Sequence, residues 1–270
     1  MTMLVSITRP LPVACLAIFL SLNAAVAQTA KDYQPSFGQP GKDVMWVPTP
    51  QALVDKMLDV AGVTPADFVI DLGSGDGRTV IAAAKRGIKA LGIEYDPNLV
   101  ELSKGNADRE GVSGRATFVK ADLFESDFSK ATVITMFLLE DLNLQLRPKL
   151  LGLKPGTRIV SNTFEMGDWM PDEVVRIPYL CNTAFYCTVN FWIVPAKAEG
   201  TWRLPQGELV LKQQYQMLTG TLKSGGAQVA IGDGRMTGDR IAFSANGVDY
   251  SGRVTGDSIE GTFQATRVSH

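Results

Sequence analysis

From Phe68 to Asn162, short apolar runs alternate with longer stretches of helical spacing. This rhythm predicts strands over Phe68–Leu72, Lys89–Glu94, Ala116–Lys120, Thr132–Leu138 and Arg158–Asn162. Helices are predicted between them, over Thr79–Arg86, Pro97–Glu110 and near Leu142–Leu150. An earlier helix is expected over Gln51–Ala61, with Leu53, Val54, Met57, Leu58 and Ala61 on one face and Pro48 and Pro50 marking its start. Strands over Val174–Ile177 and Tyr186–Val194 are expected to finish the sheet as a pair. Such alternation is that of a doubly wound α/β fold with a parallel sheet. After Pro195 the period shortens to that of strands. GRMTGDRI at Gly234 to Ile241 recurs as GRVTGDSI at Gly252 to Ile259, 18 residues on. Gly-Asp pairs in both copies predict tight hairpin turns. Residues 200–270 are expected to form an antiparallel meander or small barrel of about five or six strands. Its role stays open at this level between a stabilising accessory, a lid and a partner-binding surface.

The turn between the first strand and its helix carries the most chemistry. VIDLGSGDGR at Val69 to Arg78 places Gly73, Gly75 and Gly77 where the main chain can take unusual dihedrals and approach a ligand closely. The spacing is GxGxG, and Arg78 stands where a dinucleotide fingerprint has its third glycine. Asp71, still on the strand, would repel a pyrophosphate but pairs well with an amino-acid ammonium, which favours S-adenosylmethionine (SAM). Glu94 ends the next strand, where an acid takes the hydroxyls of a ribose. Asp122 follows the third strand and is positioned to accept from an adenine amino group.

With these residues the chain resembles the class I, seven-stranded SAM-dependent methyltransferases. DLGSGDG matches their first motif, GIEYD their ribose step and KADLF their adenine step. The resemblance implies a Rossmann-like sheet, SAM as cofactor, and Asp71, Gly73, Ser74, Gly75, Gly77, Glu94, Tyr95, Asp122 and Leu123 as cofactor-binding residues. Over about Asp43 to Asp172 the chain looks closer still to the lysine methyltransferases that modify mitochondrial ATP synthase and nucleotide carriers, and to their bacterial relatives. DVMWVPTPQALVDKML, TMFLLEDLNLQLRPKL and LKPGTRIVSNTFEMGDWMPD carry that likeness. Glu140 stands where that family often has proline.

Methyl transfer from a sulfonium asks the protein mainly to align a nucleophile and exclude water. A lysine nucleophile must first lose its proton, which desolvation by carbonyls, amides and aromatic walls favours. The substrate-side candidates are therefore Trp46 and Thr49 before the first helix, Asn143 after the fourth strand, and Asn162, Phe164 and Trp169 after the fifth. No residue has the signature of a dedicated catalytic acid or base. For Trp46 and Trp169, plain packing is at least as good a reading, and Glu140 and Asp141 are as readily a solvated helix start as a polar mouth. A protein lysine is the favoured acceptor. A small-molecule acceptor and a SAM-binding protein without turnover remain the alternatives.

Composition narrows this further. A net charge of −2 over 270 residues leaves no electrostatic footprint for nucleic acid. Arg9, an apolar core over Leu11 to Leu22 and Ala25-Val26-Ala27 read as an export signal cleaved after Ala27, too short to remain as a membrane span. The mature protein is thus expected in the periplasm or secreted, with residues 28–43 an extended lead-in and 44–198 the methyltransferase domain. Export leaves Cys181 and Cys187, and an oxidising compartment permits them to pair. With His270 the sole histidine, at the end of the chain, a zinc site is not expected. The sequence sets no oligomeric state.

Overall fold

The computed structural model describes residues 33–178, 187–205 and 207–269. The export signal, Cys181 and His270 lie outside the described residues. The first half is a seven-stranded sheet in the order β3-β2-β1-β4-β5-β7-β6. Its strands are β1 Phe68–Leu72, β2 Lys89–Glu94, β3 Ala116–Lys120, β4 Val133–Met136, β5 Arg158–Asn162, β6 Glu173–Arg176 and β7 Thr188–Ile193. Neighbours among β1 to β5 pair in parallel, and β7 runs antiparallel to both β5 and β6. The strand order reverses beside β1, which opens a crevice at the carboxyl ends of β1 and β4.

Helices α1 Gln51–Val60, α2 Arg78–Lys85, α3 Pro97–Arg109 and α4 Glu140–Leu151 accompany the sheet. The apolar face of α1 does what its spacing predicts: Leu53, Val54, Met57 and Leu58 are buried with Val69, Val133, Val160 and Val189 of the sheet. Pro97 opens α3, and Asp96 caps it by accepting from the Asn98 N–H at 2.8 Å. Helix α4 begins at Glu140, earlier than the apolar spacing near Leu142 suggested. Among the described residues no helix is long and apolar enough to cross a membrane.

The second half exceeds the expected five or six strands. It has nine: β8 Gly200–Leu204, β9 Gly207–Gln214, β10 Met217–Ser224, β11 Ala227–Ala230, β12 Gly232–Thr237, β13 Arg240–Ala245, β14 Val248–Thr255, β15 Ser258–Gly261 and β16 Gln264–Ser269. They form an up-and-down meander that closes on itself, because β16 pairs with β8 and β9 with both β8 and β10. Only Ile231 separates β11 from β12, and both lie along one side of β10, so they act as one interrupted strand. The repeat supplies two hairpins whose turns are Gly238-Asp239 and Gly256-Asp257, with φ of 60° and 56° at the glycines. Side chains fill the interior, among them Trp202, Leu209, Met236, Ile241, Phe243 and Ile259.

The halves meet through specific contacts. Tyr215 stacks on Trp169 with ring centroids 5.9 Å apart, and its hydroxyl donates to Asp168 at 2.9 Å. Gln216 donates to the Met170 carbonyl at 2.7 Å, and Arg235 pairs with the largely buried carboxylate of Asp172. Ala196 and Ala198 already belong to the barrel core, so the packing passes to the second half before Gly200.

Candidate active site

The carboxylates singled out in the sequence converge where the parallel strands end. Asp71 on β1 lies in register with Thr135 on β4, and Thr135 Oγ1 donates to it at 2.6 Å. Burial pushes the Asp71 carboxyl up to about 7 against that donor, with Glu94 and Asp76 adding to the rise. Glu94 at the end of β2 accepts from the Gly75 N–H at 2.8 Å through one oxygen. Its other oxygen accepts from the Tyr95 and Asp96 N–H groups at 2.8 and 3.0 Å. Burial nonetheless raises its pKa above the ordinary glutamate value. Asp122, just past β3, accepts from the Phe124 N–H at 2.9 Å and from Lys42 Nζ at 2.7 Å. The lysine holds its carboxyl below the usual range.

All three glycines of the turn have positive φ, at 76°, 54° and 82°. Their reasons differ. A Cβ on Gly75 would lie 2.9 Å from Trp46 Nε1, so this glycine admits the indole beside the turn. A Cβ on Gly77 would strike the Phe118 ring at 2.7 Å and Ser103 Cβ at 2.9 Å. Gly77 caps α2 and lets it pack on β3, and it stands outside the residues that border the cavity.

The cavity these groups share measures about 440 Å³, within the ~300–1,000 Å³ usual for small-ligand sites. Asp71, Gly73, Ser74, Gly75, Glu94, Tyr95, Asp122 and Leu123 all border it. So does the continuous run 39–49, which corrects the picture of a plain extended lead-in. The Trp46 N–H donates to the Gln39 carbonyl and the Gly38 N–H to the Trp46 carbonyl, both at 2.9 Å, folding the segment into a strap over the crevice. Arg78 ties the strap down: it grips Asp76 at 2.6 and 2.9 Å and donates to the Thr49 carbonyl at 2.8 Å. Sequence reasoning missed both Lys42 and Arg78. Arg78 was visible only as the residue breaking a fingerprint, and Lys42 only as one charge in a polar stretch.

The cavity also has an apolar lining of Met136, Phe137, Leu138, Leu139, Leu142 and Phe164. The Phe137 and Phe164 rings stack with centroids 6.0 Å apart. Of the substrate-side candidates, Trp46, Thr49 and Phe164 border the cavity, and Asn143, Asn162 and Trp169 do not. Asn143 is buried and braces the next loop, donating to the Phe164 and Glu165 carbonyls at 3.2 and 3.1 Å. Asn162 is buried against Thr49, 3.4 Å from its hydroxyl. Trp169 is buried between Trp192 and Tyr215, where it mediates the docking of the barrel. Glu140 and Asp141 are exposed in the first turn of α4, outside the cavity. Cys187 is disulfide-bonded, and its expected partner Cys181 lies outside the described residues.

The donor set fits SAM. Asp71 is buried and borders the cavity, where it would suit an ammonium, Glu94 would offer a carboxylate to ribose hydroxyls, and the glycine turn leaves room for close approach. Ser74 borders the cavity, and its Oγ is buried with no hydrogen-bond partner among the described residues.

Comparison with known proteins agrees. The family model for the ANTKMT methyltransferase domain matches residues 71–173. A protein-lysine N-methyltransferase of Saccharolobus islandicus is 48% identical over 137 residues, covering 50% of this chain and 85% of that protein. The chain belongs to this family of SAM-dependent methyltransferases. The adenine nucleotide translocase lysine N-methyltransferase of Mus musculus is 36% identical over 124 residues, covering 45% of this chain and 54% of that protein. This methyltransferase thus spans about half the length of that murine relative. A Salinibacter ruber protein, solved as an RNA methyltransferase in complex with S-adenosyl-L-homocysteine, is 46% identical with a TM-score of 0.52, covering 56% of this chain and 95% of that one. SAM is the cofactor of the methyltransferase described here, and the barrel lies beyond the matched family domain.

Proposed function

We propose that this methyltransferase transfers the methyl group of SAM to a lysine side chain of a protein acceptor. The observation that carries the reading is one cavity lined both by the carboxylates of three strand ends and by the apolar side chains of Met136, Phe137, Leu138, Leu139 and Phe164. SAM supplies a methyl group made electrophilic by its sulfonium. Asp71 would pair with the ammonium of the amino-acid moiety, Glu94 would accept from the ribose hydroxyls, Asp122 would accept from the adenine amine, and the Gly73 to Gly75 turn would give the backbone close approach. The apolar wall strips water from an entering amine, which lowers its pKa and favours the neutral, nucleophilic form. Phe137 and Phe164 hold its methylene stem, and excluded water keeps the methyl from hydrolysis.

The relatives named for protein lysine support this acceptor. The Salinibacter relative is named for RNA, and charge separates the two acceptors: an RNA-binding rim needs phosphate-neutralising cations, whereas this chain carries a net charge of −2. Incubating the protein with isotopically labelled SAM and an envelope extract, then mapping label by mass spectrometry, tests the reading. Label on lysine side chains supports it, and label confined to RNA or small molecules overturns it. The export signal over residues 1–27 and a periplasmic or secreted location belong to the same proposal. A mature N-terminus at Gln28 supports them, and an intact Met1 peptide in the cytoplasm overturns them.

A further inference from the structure

Lys42 belongs to none of the sequence motifs, yet its ammonium pairs with the carboxylate assigned to the adenine. It donates to Asp122 Oδ2 at 2.7 Å and lies 5.2 and 5.7 Å from the ring centroids of Tyr95 and Phe124. It also reaches Asp43 of its own strap at 3.2 Å. We propose that Lys42 competes with the exocyclic amine of adenine for Asp122, so that the strap sets how tightly the cofactor is held. The inference rests on the assignment of adenine to Asp122.

Both oxygens of Asp122 are already engaged, Oδ1 by the Phe124 N–H at 2.9 Å and Oδ2 by Lys42 Nζ at 2.7 Å, so an adenine amine would meet a carboxylate whose charge the ammonium already neutralises. The aromatic faces are shared as well, since the Tyr95 ring that a cation lies over is also a surface on which a planar base stacks. The strap presents the lysine in a defined way. The Gly41 N–H donates to the Val44 carbonyl at 2.9 Å, and a Cβ on Gly41 would lie 2.3 Å from that oxygen, so only glycine permits this turn. Asp43 gives the displaced ammonium a second partner on the same strap. Lys42 and Asp122 are 33% and 22% exposed, so water and salt weaken their pair and the competition is graded rather than blocking.

Calorimetric titration of the full protein with S-adenosylhomocysteine tests this. Wild type, Lys42→Ala and Lys42→Arg are compared at low and high ionic strength. At low salt the alanine variant should bind about two- to fivefold more tightly than wild type, the range set by a partly exposed ion pair. The arginine variant, which keeps the cation, should stay near wild type, and the difference between alanine and wild type should close at high salt. Weaker binding by Lys42→Ala would make the lysine a cofactor contact and overturn the competition, and equal binding at low salt would overturn it too. Wild-type protein that bound no S-adenosylhomocysteine would overturn the adenine assignment itself, and the inference with it.

Discussion

The two halves of this protein are both built on β-sheets, and the cavity of about 440 Å³ lies in the first of them. In the parallel sheet every connection from β1 to β5 leaves the strand ends through a loop, and the reversal of order beside β1 splays two such loops apart. The cavity follows from that topology, and Asp71, Glu94 and Asp122 are the side chains that happen to stand at its rim. The barrel pairs its own edges, β16 on β8, and packs its interior with Trp202, Phe243 and Ile259. Closure leaves neither β8 nor β16 an unpaired edge, and among the described residues the barrel's interior is filled by side chains. What it offers is a rigid flank. Tyr215, Gln216 and Arg235 all grip the segment 168–172, which follows Phe164 of the cavity wall. The barrel thus reaches the Phe164 side of the cavity indirectly, and none of these three contacts involves Asp71, Glu94 or Asp122.

The severest test of that division is to damage the barrel core. Phe243 is buried and stacks on Tyr250 with centroids 4.9 Å apart. Phe243→Ala should cost the barrel about 3–5 kcal/mol, read as a lowered unfolding transition, while S-adenosylhomocysteine affinity in the folded variant stays at the wild-type value. A parallel loss of affinity would show that the halves share the cofactor site. Next in size is the reverse experiment. Glu94→Ala removes a charged acceptor worth about 1.5–3 kcal/mol, so SAM binding should weaken by roughly tenfold or more with the barrel transition unmoved. Unchanged binding in a folded variant would remove Glu94 from the ribose contact.

A pH titration sharpens the cofactor side alone. Because burial raises the Asp71 pKa to about 7, the neutral form is favoured in the folded protein. Its contribution to ligand-free stability is fully present below the ordinary carboxylate range and is lost as pH rises through about 7. The cofactor's ammonium favours the ionised form, so affinity should run the other way. It should fall by about tenfold per unit as pH drops below that value, the slope of one linked proton. Calorimetry in buffers of different ionisation enthalpy should show proton release near neutrality, and Asp71→Asn should abolish it. Retained proton release in that variant would assign the titration elsewhere. The smallest effect concerns the flank. Tyr215→Leu removes the stacking on Trp169, worth about 0.5–1.5 kcal/mol. It should reduce methyl transfer to a protein acceptor while leaving S-adenosylhomocysteine affinity intact; unchanged transfer would make the barrel an accessory with no hold on the acceptor loop.

The cofactor side was legible because its signals are local. Three glycines at alternate positions require positive φ, and an acid at the end of an apolar run must emerge at the strand's end, so Asp71, Glu94 and Asp122 could be placed without knowing their neighbours. The acceptor side was not. Asn143, Asn162 and Trp169 follow the right strands, but which way each side chain turns depends on partners far away in sequence. Asn143 meets the carbonyls of Phe164 and Glu165, and Trp169 meets Tyr215.

By itself, then, the sequence determined the alternation of strands and helices, the glycine turn, the strand-end carboxylates and the hairpins of the repeat. Each of these is a short-range consequence of side-chain period and backbone sterics. Only the tertiary structure decided that the N-terminal strap lies over the crevice, that Lys42 reaches Asp122 across 80 residues, that Gly77 is small for the sake of Phe118, and that the meander closes into a barrel. Those outcomes depend on which distant surfaces bury each other and on chain closure, and no local pattern encodes the partner.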